Sequence, residues 1–426
     1  MADDALPKNL RQKPQLHRDW IDPHALGIVR ALQRKGHKTY LVGGCVRDLI
    51  LGHEPKDFDI ATSAFPNEVR RVIPHSYVIG KRFRLVLVKR DSEQYEVATF
   101  RRDLKEDESR EELNIEGDNL FGTPEEDAQR RDFTINGLFY DPVEDRLIDY
   151  CEAGPDLEDR WIRMIGDPWA RLKEDPIRIL RAIRLAHKLD FSLVPELRQA
   201  IQETASDLSL TVLPRRREEF LKILRLKDPS LCFLELYDLG ILQQISPQLH
   251  QLLSDSEKGE RFLHSLSQIH SFPLDSQNPV ELFGHLLYSV VRASLDPEAS
   301  QQFHSKEILE HPELAPLMRE QMGLFKHEQS LIAKALHMEP LLKKRADFEK
   351  RGERRKMALL TAEGFPLALG LAQKDYLLSP SDMHFWLQNY WSAQPQIEEK
   401  RELEKSQRRP RRPRRRKTKD KAPIEQ

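Results

Sequence analysis

The most informative segment of the sequence reads Lys56-Asp57-Phe58-Asp59-Ile60-Ala61-Thr62. Successive side chains of a strand point to opposite faces, so Asp57 and Asp59 would share one face while Phe58 and Ile60 enter the core behind them. Two neighbouring carboxylates repel each other, and bound divalent cations relieve that cost. Taken alone, an Asp-x-Asp is more often a solvated turn, so the surrounding sequence has to decide.

A glycine turn lies just upstream of this segment. Residues 39–42 predict a strand, Gly43-Gly44 a turn and residues 46–50 a helix. This order places backbone N–H groups and a helix N-terminus where a triphosphate could bind, with Arg47 adding charge-assisted contacts. The alternative is an ordinary strand-to-helix turn in which Arg47 pairs with Asp48.

Three further segments complete a predicted mixed sheet. Strands are expected at residues 57–61, 84–89 and 95–100, followed by a charged surface loop over residues 101–131. The last strand carries Glu96, and an acid at such a position is commonly an exposed face residue. On a strand beside Asp57 and Asp59, however, Glu96 would complete a three-carboxylate site for magnesium.

The length of 426 residues and the periodicity predict several folded parts. A polar leader (1–20) precedes an α/β head (21–155), whose first helix should begin at Asp22-Pro23 and end near Gly36. Apolar residues at helical spacing then predict a helical neck (156–230) and a helical body (231–400). Residues 401–426 are expected to form a disordered basic tail.

The charge of the chain is unevenly distributed. The net charge is −1, yet residues 408–421 hold ten Lys or Arg and one Asp, which leaves about −10 for the remainder. A cationic arm on an acidic body favours binding to a polyanion, and nucleic acid is the first candidate. The alternative is that the arm only keeps the protein soluble. The basic residues at the start of this arm are Arg408, Arg409, Arg411, Arg412, Arg414, Arg415, Arg416 and Lys417.

Cysteine content and hydropathy exclude other classes of protein. The only cysteines are Cys45, Cys151 and Cys232, which are too widely separated to support a disulfide framework or a thiolate zinc cluster. No apolar run approaches the length that spans a bilayer. We therefore expect a cytoplasmic protein in a reducing compartment, with no membrane partner.

Four ordered motifs carry a resemblance to a known family. They are Leu41-Val42-Gly43-Gly44-Cys45-Val46-Arg47-Asp48, Asp57-Phe58-Asp59-Ile60-Ala61-Thr62, Arg130-Arg131-Asp132-Phe133-Thr134-Ile135-Asn136, and the segment from Glu174-Asp175-Pro176-Ile177-Arg178 to Arg184. Over residues 20–230 the sequence resembles the class II nucleotidyltransferases, the family of bacterial poly(A) polymerases and CCA-adding tRNA nucleotidyltransferases. The resemblance implies an α/β nucleotidyltransferase head, a helical neck (156–230) that carries the nucleobase-recognition helix, and a helical body (231–400) that binds RNA.

The resemblance also implies roles for individual residues. It assigns catalysis to Asp57, Asp59, Glu96 and Asp132, the first three of which would bind Mg²⁺. It assigns nucleotide binding to Gly43, Gly44, Arg47, Arg131, Glu174, Asp175, Arg178, Arg181 and Arg184.

The last motif implies how the base is recognised. A helix from Glu174 would present Asp175 and Arg178, three residues apart, to the incoming base. An Asp acceptor and an Arg donor match the amine and ring nitrogen of A or C, and exclude U and G. The motif alone does not separate addition of A from addition of C, C and A, and an ordinary amphipathic helix with ion pairs is the structural alternative.

Three features favour poly(A) addition over CCA addition. Lys81-Arg82-Phe83-Arg84-Leu85 resembles a segment of bacterial poly(A) polymerases, although Leu87 departs from the histidine often found there. The segment from Leu120 to Arg131 is similar to the same subgroup, as is the arginine-rich tail, which offers sequence-independent phosphate contacts. The aromatic run of residues 385–391 could also stack on RNA bases, or form helix core instead.

We therefore predict a template-independent polynucleotide adenylyltransferase. It would add AMP from ATP to RNA 3′ ends by in-line attack with two magnesium ions, and release pyrophosphate. The implied role is RNA polyadenylation, processing and decay, with RNA-decay proteins as candidate partners. The alternatives are a CCA-adding enzyme acting on tRNA and a noncatalytic RNA-binding protein.

Overall fold

The computed structural model describes residues 16–80, 84–91, 93–104, 120–271, 274–294, 304–374 and 378–407. The chain divides into two compact units, one of Met1–Ser267 with Pro316–Leu324 and one of Gln268–Ala315 with Phe325–Gln426. Residues 1–15, 81–83, 105–119 and 408–426 lie outside the described residues, and with them most of the predicted leader, the Arg82-Phe83 marker, much of the predicted loop and the basic arm.

The first unit contains the predicted mixed sheet. Seven strands lie in the order β3-β4-β5-β2-β1-β6-β7, with β2 and β5 parallel and the other neighbours antiparallel. Their bounds are Thr39–Val42, Ile60–Thr62, Ser76–Ile79, Leu85–Arg90, Glu93–Thr99, Leu138–Asp141 and Arg146–Asp149 for β1 to β7. A separate parallel pair joins β8 (Trp161–Ile162) to β9 (Ser192–Leu193).

Helices cover the sheet and extend beyond it. Those of the first unit are α1 Pro23–Gln33, α2 Gly44–Ile50, α3 Pro66–Val72, α4 Pro124–Gln129, α5 Ala153–Glu158, α6 Pro168–Glu174, α7 Ile177–Leu189, α8 Pro195–Thr204, α9 Leu213–Leu224, α10 Pro229–Asp238, α11 Ile241–Ile245, α12 Pro247–Ser254 and α13 Ser256–Ser267. After β7 the residues that the structure describes are almost entirely helical, so the predicted fold class is confirmed.

The first helix begins and ends where the sequence predicts. The Asp22 carboxylate accepts hydrogen bonds from the backbone N–H groups of His24 (2.7 Å) and Ala25 (2.9 Å), and Pro23 occupies the first turn. Free N–H groups at a helix start are satisfied in this way. The helix ends at Gln33, and the turn that follows closes at Gly36, whose φ of 86° favours glycine.

The strand that follows the two aspartates is shorter than predicted. β2 begins at Ile60, where its parallel pairing with Val97 of β5 starts, so Asp57 and Asp59 precede the strand instead of lying within it. The predicted span of residues 57–61 was therefore wrong at its start. In parallel register, Asp59 nevertheless falls next to Glu96, and both project away from the buried Ile60 and Val97.

The predicted helix from Glu174 is also interrupted. Glu174 ends α6, Asp175 adopts an extended conformation (φ −146°, ψ 90°), and α7 begins at Ile177 after Pro176. A residue that precedes proline is disfavoured in helical conformation, which accounts for the break. Asp175 is therefore held at a helix junction, while Arg178 lies in the first turn of α7.

The second unit is helical throughout its described residues. Its elements are α14 Pro279–Ser294, α15 Ser305–Glu310, α16 Leu314–Pro316, α17 Lys326–Leu342, α18 Arg345–Glu349, α19 Glu353–Leu360, α20 Phe365–Lys374 and α21 Pro380–Gln407. The fully buried Trp386 of α21 donates its indole N–H to the Leu342 carbonyl at 2.9 Å. No helix within the described residues has both the length and the apolar character needed to cross a bilayer.

Candidate active site

A cleft of about 480 Å³ opens in the first unit beside β1, β2 and β5. Its walls carry eight Lys or Arg side chains and five Asp or Glu side chains, a surplus of positive charge that suits a triphosphate. Most of the predicted site residues line it: Gly43, Gly44, Arg47, Asp59, Glu96, Arg131, Asp132, Asp175, Arg178, Arg181 and Arg184. Asp57 and Glu174 do not form part of the wall.

The predicted catalytic carboxylates influence one another electrostatically. Asp59 is accessible from the cleft, yet loss of water around it raises its pKa; the positive charge of Arg131 opposes this rise and Asp57 adds to it. The pKa of Glu96 is raised by partial burial and then by the charges of Asp59 and Asp57. Three acids from two neighbouring chain segments therefore share one electrostatic environment.

These acids provide a donor set that suits magnesium. Among the described residues, no three Asp, Glu, His or Cys side chains are grouped tightly enough to enclose a metal ion, so the three predicted ligands do not form a closed cluster. Mg²⁺ commonly takes only one or two protein carboxylates and completes its shell with water and substrate phosphate. Burial raises the pKa values of Asp59 and Glu96, repulsion from neighbouring carboxylates adds to the rise, and a bound cation would relieve that repulsion.

The backbone of the Gly43-Gly44 turn lies close to the Arg131 side chain. Gly43 has φ 75°, and a Cβ atom at this position would lie 2.8 Å from Nη1 of Arg131. Only glycine fits both restraints without strain. Arg47, in α2, is almost fully buried, and its guanidinium donates to Asp48 and Asn136. The predicted alternative pairing of Arg47 with Asp48 is therefore present, although Arg47 also reaches the cleft wall.

Arg131 and Asp132 are fixed by different partners. The Arg131 guanidinium donates to Asp127 at 3.0 Å and lies over the Phe139 ring at 5.2 Å. Asp132 is 9% exposed and forms an ion pair with Arg181 of α7 at 2.5 Å. Burial alone would raise the pKa of Asp132, but Arg181 and two hydrogen bonds to its carboxylate lower it. In this structure Asp132 links the third motif to α7.

We expect Arg181→Met to destabilise the first unit by about 2 kcal/mol, because it leaves a buried carboxylate unpaired while Arg181 itself is partly exposed. In the wild type the pKa of Asp132 lies below 3.8, so its contribution to stability is present above about pH 4 and is lost as pH falls through the folded pKa. In the variant, burial should raise this pKa above its unfolded value, and stability should instead increase as pH falls through the raised pKa toward about 4.

Urea unfolding across this pH range measures both effects. Arg198→Met is the matched control, because Arg198 pairs with Glu235 at 2.7 Å on a more solvated surface. Arg198→Met is expected to lower the free energy of unfolding by less than about 1 kcal/mol. Equal losses in the two variants, with the same pH dependence, would contradict the proposed role of the Arg181 pair.

The predicted base-recognition pair, Asp175 and Arg178, is held by one residue of its own motif and by residues outside it. Both Asp175 oxygens accept hydrogen bonds from Arg215 of α9, at 2.8 and 2.7 Å. Arg178 donates to Glu174 at 2.7 Å and to the backbone carbonyl of Arg171 at 2.7 Å. Such bidentate and charge-assisted contacts fix orientation as well as position. Glu174 therefore positions Arg178 instead of facing the cleft.

Several cleft residues were not predicted from the sequence. They include Arg101, Asp127, Arg130, Asn136 and Lys188. Two of them had a local signal: Asp127 and Arg131 are four residues apart, as are Arg184 and Lys188, which places each pair on one side of a helical turn. Arg215 lies 40 residues after Asp175, so helix spacing within one segment could not reveal that contact.

Two family models match the chain. Residues 39–163 match the poly A polymerase head domain, and residues 190–253 match the probable RNA and SrmB-binding site of polymerase A. The first match contains the glycine turn, all four predicted catalytic acids and Arg131. Asp175 and Arg178 lie between the two matches.

Curated relatives include both kinds of enzyme named by the resemblance. Poly(A) polymerase I of Haemophilus influenzae is 40% identical over 241 residues, which cover 55% of this chain and 53% of the relative. The CCA-adding enzyme of a Geobacillus species is 42% identical over 200 residues, which cover 47% and 48%. The chain thus spans about half the length of the curated relatives it matches.

Solved structures share the fold over most of the chain. The Bacillus stearothermophilus CCA-adding enzyme in complex with CTP has a TM-score of 0.64 at 24% identity, covering 87% of this chain and 83% of that one. The Thermotoga maritima CCA-adding enzyme complexed with tRNA has a TM-score of 0.52 at 21% identity, covering 89% and 84%. At these identities the likeness concerns the fold.

Proposed function

We propose that this chain transfers AMP from ATP to the 3′ ends of RNA and releases pyrophosphate, because it is similar to bacterial poly(A) polymerases and to CCA-adding enzymes. The observation that carries this proposal is the single cleft in which Asp59 and Glu96 face the glycine turn, Arg131 and the Asp175–Arg178 pair. A metal-binding edge, a phosphate-binding wall and a base-recognition wall are the three parts that such a transfer requires.

In the proposed reaction the RNA 3′ oxygen forms a bond to the α-phosphorus of ATP, and the bond to the pyrophosphate oxygen breaks. Mg²⁺ held by Asp57 and Asp59, with Glu96 nearby, would neutralise charge on the attacking and leaving oxygens. The Gly43-Gly44 turn and Arg131 bind the triphosphate. No covalent bond to the protein is needed, because positioning and charge neutralisation lower the barrier.

The base-recognition wall supports ATP as the substrate. Asp175 can accept a hydrogen bond from the exocyclic amine of adenine, and Arg178 can donate one to the neighbouring ring nitrogen. Arg215 and Glu174 hold these two side chains in place before the nucleotide binds. Arg181 and Arg184 extend the positive wall; Arg184 pairs with Glu219 at 2.8 Å.

A CCA-adding activity is the second candidate, because relatives of both kinds match to a similar extent and cytosine presents the same pair of groups. The deciding experiment incubates the purified chain with Mg²⁺, labelled ATP or CTP, and either a generic RNA or a tRNA that lacks CCA. Long A tails on the generic RNA would support the proposal. CTP incorporation confined to the tRNA would replace it with CCA addition.

Magnesium should stabilise the wild type through Asp59. At ten times its Kd, the cation is expected to add about 1.4 kcal/mol to the free energy of unfolding, measurable as a higher Tm. Asp59→Asn should be more stable than wild type without magnesium, since one repelling charge is gone, and should lose this response. Glu257→Gln, an exposed acid outside the cleft, should respond like wild type. An unchanged response of Asp59→Asn would contradict the assigned site.

RNA is the proposed macromolecular partner. Residues 190–253 match a probable RNA and SrmB-binding site, and the sequence adds the basic arm that begins at Arg408. We propose that this arm contributes sequence-independent phosphate contacts. The five-part division of the chain, and a role in RNA processing and decay with RNA-decay proteins as partners, belong to the same proposal.

A further inference from the structure

Arg171 of α6 lies outside the four sequence motifs and outside the cleft wall. Its side chain is only 15% exposed, and an arginine is rarely buried unless it is paired. Nη2 donates to the backbone carbonyls of Arg130 at 2.7 Å and Arg131 at 3.0 Å, and Nη1 donates to the Glu174 carboxylate at 2.8 Å. Arg171 therefore joins the third motif to the fourth.

On the side of the third motif, Arg171 fixes the backbone that carries Arg131. Two successive carbonyls that are held by one guanidinium set the position and tilt of the peptide between them. The Arg131 side chain is held at its other end by Asp127 at 3.0 Å, and its Nη1 is the atom that a Cβ at Gly43 would meet. The charge of Arg131 also opposes the rise in the pKa of Asp59. A shift of this backbone would therefore change the proposed triphosphate contact and the surroundings of a proposed catalytic carboxylate.

On the side of the fourth motif, Glu174 connects Arg171 to Arg178. One oxygen of Glu174, Oε2, accepts hydrogen bonds from Nη1 of Arg171 at 2.8 Å and from Nη1 of Arg178 at 2.7 Å. Nη1 of Arg178 also donates to the backbone carbonyl of Arg171 at 2.7 Å. Because the two arginines share one carboxylate oxygen, a movement of Arg178 alters the contacts that Arg171 makes.

We propose that Arg171 is a positioning residue that couples recognition of the base by Arg178 to the placement of Arg131 on the triphosphate. Guanine presents a donor where adenine presents an acceptor, so it would displace Arg178. The displaced Arg178 would draw Glu174 with it and loosen the hold of Arg171 on the backbone of Arg131. A wrong base would then slow the transfer step as well as weaken nucleotide binding. This inference rests on the proposed function for the roles of Arg131 and Arg178.

The alternative is that Arg171 only stabilises the fold. Its Nη1 also lies 3.6 Å from Asp103, so Arg171 takes part in a local group of ion pairs. If packing were its only role, replacing Arg171 would weaken the use of every nucleotide by the same factor. Coupling predicts instead that the loss depends on the base, so a comparison of two nucleotides separates the two roles.

The kinetic test compares ATP with GTP in single-turnover incorporation on a generic RNA. For Arg171→Met we expect the maximal rate with ATP to fall about tenfold, while the apparent Kd for ATP changes by less than about threefold. With GTP the maximal rate should fall by less than about twofold, because the wrong base has already broken the coupling. Arg198→Met is the matched control, since its partner Glu235 lies outside the cleft, and should leave both rates unchanged.

Two further variants protect the test against a failure of Arg171→Met to fold. Arg171→Lys keeps the charge and the apolar stem, but an ammonium cannot reproduce the planar fork that reaches two carbonyls and Glu174. It should therefore fold and show the same base-dependent loss. Arg171→Lys/Arg178→Ala should select ATP over GTP no worse than Arg178→Ala alone, because both changes interrupt one path. Circular-dichroism melts identify the variants that fold.

A binding experiment measures the coupling without the reaction. Adenosine carries the base and pyrophosphate carries two phosphates, so each ligand would occupy one wall of the proposed site. In wild type with Mg²⁺, saturating adenosine should tighten pyrophosphate binding about fivefold, and the reciprocal effect should be equal. Guanosine should have no such effect, and in Arg171→Lys the effect of adenosine should fall below about twofold. Isothermal titration calorimetry measures each Kd.

The outcomes separate this inference from the proposed function. If the wild type incorporates no nucleotide, yet adenosine and pyrophosphate tighten each other's binding through Arg171, the proposed function fails and the coupling stands. If AMP incorporation is normal but the folded Arg171 variants lose ATP and GTP rates by the same factor, the coupling is overturned and Arg171 is purely structural. Independent effects of Arg171→Lys and Arg178→Ala on selectivity would overturn it as well.

Discussion

Asp59→Asn should lower AMP incorporation by about a thousandfold or more while RNA binding stays within about twofold of wild type. The change removes one negative charge at the place where Asp59, Asp57 and Glu96 influence one another, and it keeps the size of the side chain. A loss of that size corresponds to about 4 kcal/mol of transition-state stabilisation. Single-turnover incorporation of labelled ATP on a generic RNA measures it.

Two further variants make this result specific. Glu96→Gln should also lower the rate of AMP incorporation, but by less. Glu96 lies on the neighbouring strand β5, beside the Asp57 and Asp59 pair. Asp19→Asn makes the same chemical change at an exposed position outside the cleft and should leave the rate unchanged. If Asp59→Asn incorporated AMP at the wild-type rate, Asp59 would not be a catalytic residue, even though the fold is that of a nucleotidyltransferase.

The sequence predicted the elements around the glycine turn and the placement of Asp59 and Glu96 well, because both depend on local order. A strand, a glycine turn and a helix follow one another in residues 39–50, and the alternation in residues 56–62 separates core from solvent. The alternation could not predict the parallel pairing of Ile60 with Val97. Because this pairing begins at Ile60, the strand starts after Asp59. Register between distant segments depends on the whole sheet.

The predicted base-recognition wall shows where local periodicity fails. Helical spacing predicted one continuous helix through Asp175, although Pro176 disfavours helical conformation in the residue before it. Pro176 therefore indicated a helix break at Asp175, but the apolar spacing outweighed this signal in the prediction. The Arg215 contact had no such signal, because two separate helices have to pack before Arg215 can reach Asp175.

Aromatic residues show the same division in the second unit. Phe385 and Trp386 are neighbours in sequence, yet Arg345 lies over the Phe385 ring at 4.2 Å while Trp386 is fully buried. Trp391, five residues further, is mostly exposed. Periodicity predicts that a helix has two faces, but the packing of α18 and α20 decides which one is core.

Arg178→Ala should lower kcat/KM for ATP by roughly a hundredfold and reduce the preference for ATP over GTP by a similar factor. Arg178 would donate to an adenine ring nitrogen that is an acceptor, whereas guanine carries a donor at the same place. Loss of a charge-assisted hydrogen bond in a cleft is worth about 2 to 3 kcal/mol, which sets the size of the effect. Competition assays with labelled ATP and unlabelled GTP measure the preference directly.

Two companion variants test whether geometry or charge matters. Arg178→Lys keeps the charge but cannot reproduce the planar fork that contacts Glu174 and the Arg171 carbonyl, so it should recover little of the preference. Arg215→Ala leaves Arg178 in place but releases Asp175, and it should weaken recognition of the exocyclic amine. If Arg178→Ala changed ATP and GTP use equally, Arg178 would serve the triphosphate, and base selection would have to come from another part of the cleft.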